Sequence, residues 1–107
     1  MQALEYAELK CISDDVKGIP PGPEASMLKI RGSEIQQEIT ELVLEASGYY
    51  AYAYQPNALE KGNNEPLIGP EWSSFAAPKY FNTRKTTIYG GSNEIQKNIL
   101  AKMLLEL

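Results

Sequence analysis

Apolar and small side chains recur every three or four residues along most of the chain, a spacing that predicts helices. The clearest run begins at Pro23 and reaches about Tyr54, with charged and amide side chains on its other side. Its seam consists of Leu28, Gly32, Ile35, Ile39, Leu42, Ala46, Tyr49 and Ala53. The run predicts one long amphipathic helix that packs through this seam.

A shorter helix is predicted near the start of the chain, from about Ala3 to Val16, because helical spacing holds there and stops at Gly18. Residues 19–24 read Ile-Pro-Pro-Gly-Pro-Glu, a sequence that excludes both a helix and a central strand. They therefore predict a stiff connector. Cys11 lies on the apolar side of the first helix, and we interpret it as a packing residue rather than a reactive thiol.

The stretch from Gln55 to Glu71 is dense in proline, glycine and asparagine, which predicts a loop. Loops of that length are usually functional covers or mobile segments, so other domains or subunits are expected to pack on it. After the loop, Ser73 or Ser74 is expected to cap a third helix that runs to about Lys85.

The last helix is predicted to begin after Ser92, a good N-cap that follows a tight turn made by Gly90 and Gly91. Its apolar stripe contains Ile95, Ile99, Leu100, Met103, Leu104 and Leu107. No run keeps the alternation of a strand for long. The pattern as a whole predicts an all-α fold, an antiparallel helical bundle of about four helices.

The composition is that of a small globular domain, since the 107 residues are 43% hydrophobic and 22% charged. Ten basic residues against fourteen acidic ones give a formal net charge of −4, and the lysines are spread along the chain. Such a balance repels a polyphosphate backbone, so nucleic-acid binding is not expected. The chain has no apolar stretch of about 18 residues and does not start with a signal peptide, so we expect a cytoplasmic protein without a membrane partner.

The lack of histidine removes much conventional catalysis. With no histidine and one cysteine, a transition-metal site would have to be built from carboxylates alone, and no metal is expected. The same lack excludes Ser-His and Cys-His nucleophile pairs and the usual general base. Any chemistry must therefore rest on other residue types.

The turn formed by Gly90, Gly91 and Ser92 is a candidate binding feature. Backbone N–H groups at the start of a helix point outward at the positive end of its dipole, which suits an anion. Most Gly-Gly-Ser turns before helices are nevertheless plain connectors, and the surrounding residues decide between the two interpretations.

Residues 87–102 read Thr-Ile-Tyr-Gly-Gly-Ser-Asn-Glu-Ile-Gln-Lys-Asn-Ile-Leu-Ala-Lys. This run closely resembles the C-terminal signature of the acyl-CoA dehydrogenase family, in the bacterial branch that carries Tyr-Gly-Gly-Ser-Asn-Glu-Ile-Gln. Residues 25–29, 32–34, 39–42 and 45–48 resemble the long helix of the same domain, in the same order. The resemblance therefore covers nearly the whole chain.

The resemblance implies that residues 1–107 are the C-terminal helical domain of a flavin-dependent acyl-CoA dehydrogenase, incomplete because its first helix and two upstream domains are missing. Such enzymes remove the α proton of an acyl-CoA thioester and pass a hydride from the β carbon to FAD, in fatty-acid or steroid side-chain β-oxidation. An electron-transfer flavoprotein then accepts the electrons. The chain is expected to contribute flavin contacts and a homo-oligomer interface, in a dimer or a tetramer. Alone, it is expected to be inactive and not to retain FAD.

The resemblance assigns flavin contacts to Gly91, Ser92 and Glu94, and it places Tyr89 and Gly90 near the substrate. Many members carry the catalytic glutamate at the position of Gly90, so no catalytic residue is expected in this chain. Glu94 is a poor substitute, because the helix dipole stabilises its charged form. Turn formation and capping are the alternative roles of Gly91, Ser92 and Glu94.

Departures from the common family pattern keep a second function open. The usual Gln-x-x-Gly-Gly run on the long helix is replaced at residues 45–49. The Arg-Asp pair before the signature is replaced by Phe81 and Asn82, although Arg84 keeps a basic residue nearby. The absence of the glutamate at Gly90 leaves, as the alternative, a stand-alone, non-catalytic helical assembly protein derived from such a domain.

Overall fold

The computed structural model describes residues 2–105, and these residues contain four α-helices and no β-strand. The helices are α1 (Gln2–Val16), α2 (Pro23–Ser47), α3 (Ala76–Thr83) and α4 (Asn93–Leu105). The predicted all-α class with about four helices is confirmed. Leu107, the last position of the predicted apolar stripe, lies outside the described residues.

The chain divides into two compact units. Residues up to Glu34 and residues from Thr86 onward form the first unit, and Ile35–Lys85 form the second. Helix α2 therefore contributes its N-terminal part to the first unit and its C-terminal part to the second. The first unit also holds α1, α4 and the glycine turn that precedes α4, so the predicted site residues all lie within it.

Helix α1 ends where the sequence predicts. Its last residue is Val16, and the N–H of Ile19 donates to the carbonyl of Asp14 at 2.9 Å, which closes the helix end. Lys10 forms an exposed ion pair with Glu24 in the first turn of α2. Because the Glu24 carboxylate accepts this hydrogen bond, its pKa is lowered.

Helix α2 is shorter than predicted. It ends at Ser47, and Gly48 follows with a φ of 51°, in the left-handed region that favours glycine. A 3-10 turn then covers Gly48–Tyr52 in place of further α-helix. The prediction of a helix to about Tyr54 is wrong. The apolar spacing continues to that residue, but the backbone conformation of Gly48 ends the helix before it.

The predicted seam of α2 is also wrong as a packing face within this chain. Leu42 is 63% exposed and Tyr49 is 90% exposed, and both belong to that seam. The buried positions of α2 form a different stripe of small and mostly polar side chains: Ser26, Ile30, Ser33, Thr40 and Ser47.

Hydroxyl groups can be buried along α2 because they donate to carbonyls of their own helix. Ser33 donates to the carbonyl of Ile30 at 2.8 Å, and Ser47 donates to that of Val43 at 2.8 Å. Such bonds satisfy the hydroxyl without an external partner. The apolar spacing of α2 therefore marks the side of the helix that lies opposite the buried stripe.

The third helix does not use the predicted caps. Ser73 and Ser74 are buried in a 3-10 turn that covers Glu71–Phe75, and α3 begins only at Ala76. The Ser73 hydroxyl donates to the carbonyl of Pro70 at 2.6 Å, and the Ser74 hydroxyl donates to that of Glu71 at 2.7 Å. Both serines therefore stabilise the turn before the helix.

The predicted loop is confirmed, and a single side chain closes it. Apart from a 3-10 turn at Pro56–Leu59, the stretch before Glu71 has no regular helix. The side chain of Gln55 accepts a hydrogen bond from the N–H of Ile68 at 2.7 Å and donates to its carbonyl at 3.3 Å. The ends of the loop are thereby held together.

None of the described helices combines the length and the apolar character that a membrane span requires.

Candidate functional site at the start of helix α4

The turn before α4 folds back onto the helix that it precedes. Gly90 and Gly91 have φ values of 67° and 83°, a conformation that other residues adopt only with strain. The side-chain amide of Gln96 donates to the Gly90 carbonyl at 3.1 Å. A β-carbon on Gly91 would lie 2.5 Å from Nε2 of Gln96, so a larger residue would displace this side chain from Gly90, while the positive φ is what requires glycine.

Ser92 is the N-cap of α4, as the sequence predicts. Its hydroxyl oxygen accepts a hydrogen bond from the N–H of Ile95 at 3.4 Å, and its carbonyl accepts one from the N–H of Gln96 at 2.9 Å. The first bond is long for an N–H···O hydrogen bond, so this cap is a weak one.

Glu94 lies in the first turn of α4 with an exposed side chain. The pKa of its carboxyl is lowered, first by a hydrogen bond from its own backbone N–H and then by the Ser92 hydroxyl. Lys97 and Lys29 lower the pKa further through their positive charge. The lowered pKa agrees with the expectation that Glu94 is held in its charged form, and it makes this carboxylate a weak general base.

Tyr89 and Gly90 lie on the same exposed turn. The Tyr89 side chain is 56% exposed, and no atom lies within 4 Å of the place where a side chain at Gly90 would begin. The turn and first helical residues thus bring all predicted site residues into one continuous segment. A substrate-proximal position for Tyr89 and Gly90 stays a prediction.

Beneath this segment lies a buried polar cluster that sequence reasoning missed. Asn93, the first residue of α4, is 7% exposed. Its side-chain oxygen accepts a hydrogen bond from Nζ of Lys29 at 2.6 Å, and its amide nitrogen donates to the hydroxyl of Ser33 at 3.0 Å. The available signal is the spacing of Lys29 and Ser33, which places two polar side chains on one face of α2.

Arg84, the basic residue near the signature, makes its contacts within the second unit. One guanidinium nitrogen, Nη2, donates to the Gln37 carbonyl at 3.0 Å and to the Thr40 hydroxyl at 3.2 Å. The guanidinium carbon also lies 4.2 Å from the centre of the Tyr80 ring, in a cation–π contact. Through these contacts Arg84 joins α2 to α3 within the second unit.

A family model described as acyl-CoA dehydrogenase, C-terminal domain, matches residues 1–105. The chain belongs to the acyl-CoA dehydrogenase family. No curated protein and no solved structure matches the chain significantly. Fold class and family therefore agree with the resemblance carried by the segment around Gly91.

Acyl-CoA dehydrogenases are flavoenzymes, so the segment can be tested for its fit to FAD. The turn offers exposed backbone without a side chain at Gly91, and Glu94 offers a charged hydrogen-bond acceptor. A carboxylate accepts hydrogen bonds from hydroxyl and amino groups but repels phosphates. The Glu94 carboxylate therefore fits the hydroxyl and amino groups of the dinucleotide, whereas the N–H groups at the start of α4 suit an anion such as its pyrophosphate.

The structure offers no comparable fit to a metal ion. Within residues 2–105, no three histidine, cysteine, aspartate or glutamate side chains come close enough together to hold one.

Proposed function

We propose that the chain is the C-terminal domain of a flavin-dependent acyl-CoA dehydrogenase, an enzyme that introduces an α,β double bond into acyl-CoA thioesters. On this proposal, residues 1–107 are completed by a further helix and two domains that precede them in the enzyme. The observation that carries the proposal is the family match over residues 1–105 together with the ordered glycine turn at the start of α4.

In the proposed enzyme, Gly91, Ser92 and Glu94 contact FAD, while Tyr89 and Gly90 lie beside the acyl-CoA. The absence of a side chain at Gly91 lets the cofactor approach the backbone, and the Glu94 carboxylate accepts a hydrogen bond from it. When bound, FAD accepts the hydride that leaves the β carbon. The base that removes the α proton comes from another part of the enzyme, because Gly90 has no carboxyl group and the pKa of Glu94 is lowered.

Partners follow from the same proposal. They are acyl-CoA as substrate, an electron-transfer flavoprotein as electron acceptor, and further copies of the subunit in a dimer or a tetramer. Exposed apolar side chains on α4, among them Leu104, and on the 3-10 turn after α2 support the oligomer. The proposed location is the cytoplasm.

A matched pair of glycine substitutions tests the flavin contact in the enzyme that contains this domain. Gly91→Ala introduces both an unfavourable φ and a clash with Gln96, whereas Gly62→Ala introduces only the unfavourable φ, since its surroundings are open. We expect Gly91→Ala to weaken FAD binding by about tenfold or more, the scale of a few lost contacts. Gly62→Ala should leave it unchanged. Equal FAD affinity in both variants would contradict the proposal.

A second candidate function is a non-catalytic helical assembly protein derived from this domain, and the glycine at position 90 favours it. On this alternative the chain acts without upstream domains, and Gly91→Ala changes stability but no cofactor property. FAD content of the purified assembly separates the two functions, because only the dehydrogenase requires the cofactor.

A further inference from the structure

The polar cluster at the start of α4 has a defined direction of hydrogen bonding. The Ser33 hydroxyl carries one proton, and it donates to the Ile30 carbonyl at 2.8 Å. Its oxygen is then free to accept from the amide nitrogen of Asn93 at 3.0 Å. The Ser33 hydroxyl also lies 3.3 Å from Oδ1 of Asn93, a longer approach that competes for the same proton. The relay Asn93 to Ser33 to Ile30 ties the first residue of α4 to the backbone of α2.

Lys29 completes the cluster from one turn earlier on α2. Its ammonium group donates to Oδ1 of Asn93 at 2.6 Å, a short bond of the charge-assisted kind. Both ends of the Asn93 side chain are therefore occupied. An asparagine so buried would be costly without such partners, and with them its position is well determined.

The cluster and the exposed segment are adjacent. Asn93 directly follows Ser92 and directly precedes Glu94, and Lys29 also contributes to the lowered pKa of Glu94. Any shift of Asn93 therefore moves the residues on both sides of it.

We infer that Asn93 is a positioning residue, which, held by Lys29 and Ser33, fixes the turn at Gly90 and Gly91 and the first turn of α4 for flavin contact. The positioning part stands on the hydrogen bonds alone, and the flavin part rests on the proposed function. A purely structural role would stabilise α4 as a whole, whereas positioning acts locally on residues 90–94.

Amide hydrogen exchange in the full chain distinguishes these roles. Asn93→Leu keeps the approximate size of the side chain but removes both bonds. Asn93→Asp keeps the acceptor for Lys29, and the Ser33 hydroxyl must turn from the Ile30 carbonyl to donate to the new carboxylate. The amides of Ile95 and Gln96 report on this segment because both donate to Ser92. We expect Asn93→Leu to accelerate their exchange by about tenfold, the effect of one lost charge-assisted hydrogen bond, and Asn93→Asp to restore slow exchange. Leu100, further along α4, should keep its exchange rate in both.

Two further variants keep the test decisive. Asn98→Leu changes an exposed residue of the same helix and should leave exchange at Ile95 and Gln96 unchanged. Lys29→Met removes only the ammonium donor, so it should accelerate exchange at the same amides to a smaller extent. It replaces Asn93→Leu as the test if that variant does not fold. The inference is wrong if Lys29→Met and Asn93→Leu leave these amides unchanged, or if they accelerate Leu100 equally.

FAD affinity of the enzyme that contains this domain separates the inference from the proposed function. Weaker FAD binding in Asn93→Leu, recovered in Asn93→Asp, supports both. Accelerated exchange with unchanged FAD affinity supports the positioning role of Asn93 and contradicts the flavin contact. Weaker FAD binding without a change in exchange at Ile95 and Gln96 overturns the positioning role.

Discussion

At the scale of single residues, part of the lowered pKa of Glu94 comes from the group that caps the helix. The largest cause is a hydrogen bond from the backbone N–H of Glu94, and the Ser92 hydroxyl, which also accepts from the N–H of Ile95, lowers the pKa further. A side chain with a lowered pKa contributes stability above its unfolded-state pKa, and the contribution is lost as the pH falls through the folded-state value. Ser92 therefore influences both the helix start and its pH dependence.

Ser92→Ala tests this dependence. We expect a loss of about 0.5–1 kcal/mol in the free energy of unfolding, at the low end for N-caps because the capping bond is long. The pKa of Glu94 should rise toward its usual value. Urea unfolding and an NMR titration of the Glu94 carboxyl measure the two effects. Ser13→Ala, at an exposed position inside α1, should leave the Glu94 pKa unchanged and should not lower the free energy of unfolding, because alanine favours a helix. An unaltered Glu94 pKa in Ser92→Ala would contradict the assignment.

The sequence identifies some residues of the site and misses others for a physical reason. Gly91, Ser92 and Glu94 stand in a motif whose turn and cap chemistry is readable, and the structure shows that turn and cap, while their contact with FAD stays a prediction. The burial of Asn93 could not be predicted from the sequence, because hydrophobic periodicity marks only buried apolar residues. The burial of Asn93 depends on Lys29, sixty-four positions away.

At the scale of elements, α2 shows why the presence of a helix is easier to predict than its first and last residues. Its start at Pro23 is predicted correctly, because proline suits the first turn of a helix. Its end at Ser47 is not, because one glycine in the left-handed conformation overrides an apolar spacing that continues beyond it. The buried face of α2 was missed since it consists mainly of serine and threonine.

A glycine inside α2 and a glycine directly after it provide a matched test of where the helix ends. Gly32 lies within the helix with open surroundings, so Gly32→Ala should raise the free energy of unfolding by about 0.5–1 kcal/mol through better helix propensity. Gly48 also has open surroundings but a positive φ, so Gly48→Ala should lower it by about 1 kcal/mol. Urea unfolding measures both changes. Stabilisation by both substitutions would mean that the helix continues past Ser47.

At the scale of the whole molecule, the described residues expose many large apolar side chains. The buried apolar residues among them are Ile30 and Ala76, while Leu104, Tyr49, Tyr52 and Tyr54 are each more than half exposed. Leu100, which belongs to the predicted apolar stripe of α4, is partly buried. Exposed apolar surface beyond a few hundred Å² marks interfaces in soluble proteins.

The isolated chain should therefore self-associate. We expect an average mass above that of the monomer in sedimentation equilibrium at micromolar concentrations, with dimers or tetramers favoured by symmetry. Leu104→Glu places a charge on the exposed face of α4 and should shift the equilibrium toward monomer. Glu94→Gln, which leaves the apolar face intact, should not. A monomer mass for the unaltered chain would contradict the prediction.

The most direct test of the account is to map the residues that touch the cofactor. An FAD analogue with a photoreactive azido group on its adenine is bound to the enzyme that contains this domain, irradiated, and the labelled peptides are identified after trypsin digestion. Cleavage after Lys85 and Lys97 releases residues 86–97, which hold the whole candidate segment. The account predicts label on this peptide, lost when excess FAD competes. Label confined to other peptides of an enzyme that retains the analogue would contradict it.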